Sequence, residues 1–148
     1  MLVNTLIELF ERDLNRVIDE VNLYDAEVDL WRIEKNISNS GGNLVLHLLG
    51  NLNTYIGKEI GKTGYVRNRE LEFSQKNIPR QLLVSQLKDT INVVKSSLKL
   101  LTEEDLNKEY PVVALSSATS TTFFLVHLLG HLSYHLGQIN YHRRLVAA

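Results

Sequence analysis

Leu46-His47-Leu48-Leu49-Gly50-Asn51-Leu52 returns eighty positions later as Val126-His127-Leu128-Leu129-Gly130-His131-Leu132. The second copy runs on through Ser133-Tyr134-His135-Leu136-Gly137-Gln138, so four of the five histidines (His127, His131, His135 and His142) fall within sixteen residues. The fifth, His47, holds the matching place in the first copy. Histidines gathered on two apolar segments, in a chain with no cysteine, point to a metal held between two helices.

The rest of the chain supplies partners for these two segments. Leu2, Leu6, Leu9, Phe10, Leu14, Val17, Ile18 and Val21 recur every three or four positions, which gives an amphipathic first helix to about Asn22. Leu23 to Asn39 is irregular and holds the single tryptophan, Trp31. Ser38, Asn39 and Ser40 offer N-cap oxygens for a second helix from Gly42 to Gly61. Lys62 to Ile78 shows no sustained period. Pro79 suits the first turn of a third helix reaching about Leu101, because the N–H it lacks has no partner there anyway. Thr102-Glu103-Glu104-Asp105 can cap a short further turn. After Lys108 to Ser120, a fourth helix runs from Thr121 to about Val146. Four long helices and no convincing strand predict an all-α, four-helix bundle formed by one domain over residues 1–148. All three connections are long, and such segments can roof a pocket and supply binding groups.

Composition narrows the function classes. With 148 residues and 44% hydrophobic content, the chain can close one core but not two. Sixteen basic and 17 acidic residues give no positive field for displacing nucleic-acid counterions, so nucleic acid is not an expected partner. The absence of cysteine removes disulfides, thiolate zinc sites and a cysteine nucleophile, and suits a reducing compartment. Met1 to Leu9 lacks the basic start of a signal peptide, and the apolar run Phe123 to Leu132 is too short to span a bilayer. A soluble, cytoplasmic protein with no membrane partner is expected.

Helical geometry sorts the histidines. Positions 127, 131, 135, 138 and 142 follow steps of four, four, three and four, so their side chains share one stripe. Rings at i and i+4 can meet on one metal at nitrogen distances of about 2.0–2.1 Å. Three rings of one straight helix cannot easily do so, since i and i+8 are separated by about 12 Å of rise. The pair is therefore His127 with His131, or His131 with His135. His47 shares its stripe with Asn43, Asn51 and Thr54 and supplies a third ligand from the second helix. Three neutral imidazoles leave a coordination position open, as in catalytic rather than closed structural sites. His142, beside Arg143-Arg144, fits a core role better than a ligand role.

The pattern His131-x-x-x-His135-x-Gly137-Gln138-Ile139 in the last helix, with His47 in the second, resembles the DinB-like metalloproteins. Ser40-Gly41-Gly42-Asn43-Leu44 and Tyr65-Val66-Arg67-Asn68-Arg69-Glu70-Leu71-Glu72-Phe73 look like its DUF1572 branch, and the likeness covers nearly the whole chain. The resemblance implies an up-down-down-up bundle with a divalent ion, zinc or nickel, on His47, His131 and His135, and a homodimer. It also implies a small-molecule substrate and a thiol-dependent transferase or a hydrolase, with a low-molecular-weight thiol such as bacillithiol or mycothiol as co-substrate. A non-catalytic metal- or small-ligand-binding protein of stress response is the alternative.

Further candidates surround the histidines. Asn51, Tyr55, Tyr134 and Gln138 neighbour the ligand positions and are candidate catalytic residues, able to orient a bound water or fix a ring tautomer. Ordinary polar pairing in the core is their competing use. Arg67 and Arg69 are candidates to clamp a substrate carboxylate or phosphate, against pairing with Glu70 and Glu72. Trp31 is a candidate to stack on a substrate, against simple packing. No carboxylate lies beside the histidines on either helix, so any general base is expected from the metal site itself or a loop acid. Glu-x-x-His, His-Glu-x-x-His and glycine-rich phosphate loops are all absent. Gly50, Gly57, Gly130 and Gly137 recur at seven within the repeated helices, which predicts close helix approach at each.

Overall fold

The computed structural model describes residues 1–147; Ala148 lies outside them. Its long helices are α1 (Leu2–Leu23), α2 (Gly41–Leu52), α4 (Arg80–Leu98) and α5 (Thr121–Val146), with a short α3 (Arg69–Ser74) between α2 and α4. α1 buries Leu6, Phe10, Leu14, Val17 and Val21 along one stripe and leaves Glu8, Arg12, Arg16 and Asp19 exposed, as its spacing demands. Asp13 is buried on this helix and is matched by Arg12 at 3.0 Å and Arg16 at 3.5 Å. Side-chain caps start two helices: Ser40 accepts from the Asn43 N–H, and Ser120 from the Phe123 N–H. Pro79 sits one position outside the expected place, as the N-cap of α4. Thr102 and Asp105 exchange bonds of 2.9 and 3.1 Å, closing the expected extra turn before Asp105–Asn107.

Cross-helix contacts fix the chain directions. Lys95 pairs with Glu11 at 2.8 Å and Arg80 reaches the Asn22 carbonyl, so α1 and α4 run antiparallel. The start of α1 bonds Glu103 and the start of α5 bonds Leu106 three positions on, while Glu20 near the end of α1 meets Asn140 and Arg143 near the end of α5, so the two helices run in the same direction. The Gly41 N–H reaches His142 while Tyr55 lies against Phe124, so α2 opposes α5. Asn53 bonds Thr90, and Gly61 abuts Ser97, so α2 and α4 run the same way. A chain leaving α2 must return along the bundle before α4 can start. That return explains the long connection and leaves room in it for α3. One continuous core joins Phe10, Leu14, Leu48, Leu52, Leu87 and Leu132. No helix among the described residues is long and apolar enough to cross a membrane.

Two sequence expectations need revision. The expected second helix is α-helical only to Leu52 and continues as a π-helix over Asn53–Lys58. At its start the Asn53 amide donates both to the Leu49 carbonyl at 2.8 Å and to Thr90 at 2.9 Å; such widened turns often occur at functional sites. The glycines also divide. Added Cβ atoms at Gly50 and Gly57 would run into Glu72 and Val93, but nothing lies within 4 Å of such an atom at Gly130 or Gly137. Close approach therefore holds for the first copy and not for the second, whose glycines face outward.

Candidate metal centre

The two repeated helices bring His47, His131 and His135 together. One ring nitrogen from each lies within 4.8 Å of the others. His131 Nε2 stands 3.1 Å from His47 Nε2 and 3.1 Å from His135 Nε2. The i, i+4 step on α5 and the antiparallel approach of α2 place them there. His127 is left aside: it is exposed, stacks over Phe124 with centroids 5.8 Å apart and over His131 at 6.5 Å. Of the two pairs that spacing allows, His131 with His135 is the one that converges.

Hydrogen bonding behind the rings sets their tautomers. His47 Nδ1 lies 3.1 Å from Glu72 Oε1, and His135 Nδ1 lies 2.7 Å from Gln138 Oε1. Both partners are acceptors, so each ring carries its proton on Nδ1 and turns the Nε2 lone pair towards His131. A proton on His131 Nε2 can serve one of these neighbours, not both. A cation shared by all three satisfies every lone pair, and two nitrogens bound tetrahedrally to zinc sit about 3.3 Å apart. The donor set fits a divalent transition metal. Among the described residues His131 Nδ1 is buried without a partner, leaving one ring of the three with no fixing group behind it.

Burial favours the neutral form of His131 and His47. It holds His131 down to about 4, aided by the neighbouring His135, His47 and His127 rings. His47 is likewise held below its ordinary value, first by burial, although Glu72 pulls the other way. The His47–Glu72 contact is therefore a hydrogen bond from a neutral ring rather than an ion pair. Neutral imidazole is the form that binds metal.

α3 delivers Glu72. Its six residues start on Asn68, whose side chain accepts from the Leu71 N–H, with Glu70 and Glu72 in the first turn. Asn43, fully buried on α2, donates to the carbonyls of Glu72 at 3.0 Å and Gln75 at 2.9 Å and so pins this helix to the bundle. Glu72 enters where Gly50 has no side chain. There it accepts from Arg67 Nε at 2.8 Å and from a second Arg67 nitrogen at 2.9 Å. Sequence spacing did not reveal this carboxylate behind His47, because six residues leave no helical period. The signals present were an Asn cap followed by acids and a glycine opposite.

The other expected residues take definite places. Asn51, Tyr55, Arg67 and Arg69 line, with His127 and His131, a polar cavity of about 300 Å³ beside the cluster. Asn51 Oδ1 is buried without a partner among the described residues. The Arg67 guanidinium lies 5.9 Å from the Tyr55 ring centre, and that of Arg69 lies 5.8 Å from Phe73. Tyr134 is 65% exposed and meets His135 edge-on from the far side. Trp31 is buried against Gly42 at the start of α2 and does not line this cavity. His142 also stays outside the cluster: its ring joins Tyr24 at 2.6 Å, the Gly41 N–H at 3.2 Å and the Arg32 carbonyl at 2.9 Å.

Fold and site together define an all-α bundle with a three-histidine cluster bridging its two repeated helices. The chain belongs to the DUF1572 family, whose model, described as a protein of unknown function, matches residues 2–148. Among solved structures it is similar to the conserved protein of locus from Enterococcus faecalis, with a TM-score of 0.73 and 19% identity over 97% of this chain and 95% of that one. At that identity the likeness carries the fold. No curated protein matches the chain.

Proposed function

We propose that this protein is a metal-dependent enzyme, a thiol-dependent transferase or a hydrolase, acting on a small molecule, with zinc or nickel on His47, His131 and His135. One observation carries the metal assignment: three Nε2 atoms converge while Glu72 and Gln138 occupy the Nδ1 sides of two rings. When bound, the ion supplies Lewis-acid chemistry, polarising a carbonyl or activating a thiol or water nucleophile.

The chain's own groups supply the rest. Glu72 and Gln138 hold the His47 and His135 rings in the tautomers that present Nε2. Glu72 also occupies Arg67, whereas Arg69 has no ion pair among the described residues and is the guanidinium available to an anionic substrate group. Asn51 offers an acceptor in the same cavity. The likeness to DinB-like metalloproteins favours a low-molecular-weight thiol as co-substrate, and a homodimer. The outward face of α5, with Phe123 and Val126 at least half exposed beside open Gly130, is the surface available for a second copy.

Elemental analysis of protein purified without a histidine tag tests the site. About one divalent ion per chain is expected, falling below about a tenth in His131→Ala. Unchanged metal content in that variant would overturn the assignment. Thiol-conjugation turnover by the loaded protein supports the enzyme. A coordination shell filled entirely by protein would instead favour a non-catalytic metal-binding role in stress response.

A further inference from the structure

The histidine cluster has a second side. The polar cavity meets it at His47 and His131, whereas a larger cavity of about 640 Å³ meets it at His135. This second cavity lies between the 36–39 connection and the last turns of α5, and is lined by Ile37, Leu44, Tyr134, Gln138, Tyr141 and Leu145 among others. Its size falls within the range of small-molecule sites, about 300–1,000 Å³. No aspartate, glutamate, lysine or arginine lines it, in contrast to the arginine cavity on the opposite side. Its polar groups are amides, hydroxyls and imidazoles. Gln138 is the notable one: its oxygen faces His135 Nδ1, and its amide nitrogen has no protein partner among the described residues.

We propose that the cavity on the His135 side binds a neutral, aromatic or otherwise apolar small molecule bearing a hydrogen-bond acceptor, opposite an anionic group bound on the Arg69 side. Charge separates the two cavities. Placing an anion in the uncharged cavity would remove its hydration without a cation in return, whereas an aromatic ring gains from leaving water. The Tyr134 ring gives a flat face against which such a ring can stack, whereas Tyr141 already has the Arg144 guanidinium 5.3 Å from its ring centre. The Gln138 amide nitrogen donates to the acceptor atom and so orients the molecule towards His135. Two dissimilar reactants could then reach the cluster without competing for one pocket. This assignment rests on the proposed enzymatic role only for its meaning; binding itself requires no metal.

Titration with 2-naphthol, neutral at pH 7, tests it, with backbone amide shifts followed by NMR on metal-free and zinc-loaded protein. Saturable shifts are expected around residues 36–39 and 134–145 in both forms. Leu145→Glu, at a position 42% exposed, places a charge on the cavity wall without opening the core and should weaken binding by about tenfold or more. Ile37→Glu does the same from the opposite wall and serves if the first variant misfolds. Arg69→Ala should leave 2-naphthol affinity within about twofold while weakening 1-naphthoate by about tenfold. Shifts confined elsewhere, no saturable binding because a second copy covers the cavity, or unchanged affinity in either glutamate variant would overturn the proposal. Failure of the metal assignment reads differently: the protein would then hold no ion, yet 2-naphthol would still bind.

Discussion

Leu46–Leu52 and Val126–Leu132 are nearly the same seven residues, yet they occupy unlike surroundings. The first copy is enclosed: every residue except Leu46 is buried, and α3 is applied to its outer side through Asn43 and Gly50. In the second copy Val126, His127 and Gly130 face outward. The matched histidines diverge accordingly. His47 is 7% exposed with a carboxylate behind it, while His127 stacks over Phe124 with no hydrogen bond among the described residues. A repeated pattern thus fixes which segments are helical and apolar, but the element packed against each copy decides what its polar residue can do.

The largest effect that should separate the copies is on metal affinity through Glu72. Glu72→Gln keeps the shape behind His47 but removes its charge, and should weaken zinc or nickel binding by about 10- to 100-fold in competition with a chromophoric chelator. Affinity within about twofold of the parent would show that the first copy's enclosure serves packing alone.

The two glycines should respond with opposite signs. Gly50→Ala forces a methyl group into the Glu72 carboxylate, and a loss of about 1–3 kcal/mol is expected in urea unfolding. Gly130→Ala adds a methyl to open space on a helix and should stabilise by up to about 1 kcal/mol. Equal changes in the two variants would remove the asymmetry.

Acidification should act through the enclosed rings. Burial holds His47, His131 and His142 below the ordinary value in the folded state, so between about 6.5 and 4 the unfolded chain binds more protons than the folded one. Stability of the metal-free protein is then fully present above about pH 6.5 and declines as pH falls towards 4. Melting temperatures at pH 7.5 and 5.0 check this, with a lower value expected at pH 5.0; identical values would contradict neutral burial of these rings.

Periodicity made the bundle legible. Leu6, Phe10, Leu14, Val17 and Val21 announce the stripe that α1 buries, and Ser38, Asn39 and Ser40 announce the start of α2. The steps of four on α5 limited the ligand pair to two choices, and the position of His47 named its partner helix. Two things stayed hidden. The choice between His127 and His135 depends on how far α2 slides along α5, which no single-helix pattern records. Glu72 depends on a six-residue helix whose place is set by Asn43 and by the space at Gly50, twenty-two or more positions away in sequence. The outward turn of Gly130 and Gly137 was invisible for a similar reason: spacing shows that glycines share a face, not what lies opposite.

His47→Ala and His127→Ala, two deletions at one position of the repeat, test the central claim most directly. Each variant is loaded with zinc, passed through a desalting column and analysed for bound metal. His127→Ala should retain about one ion per chain, and His47→Ala less than about a tenth. Equal retention in both variants, or greater loss in His127→Ala, would contradict the assignment of the metal to His47, His131 and His135.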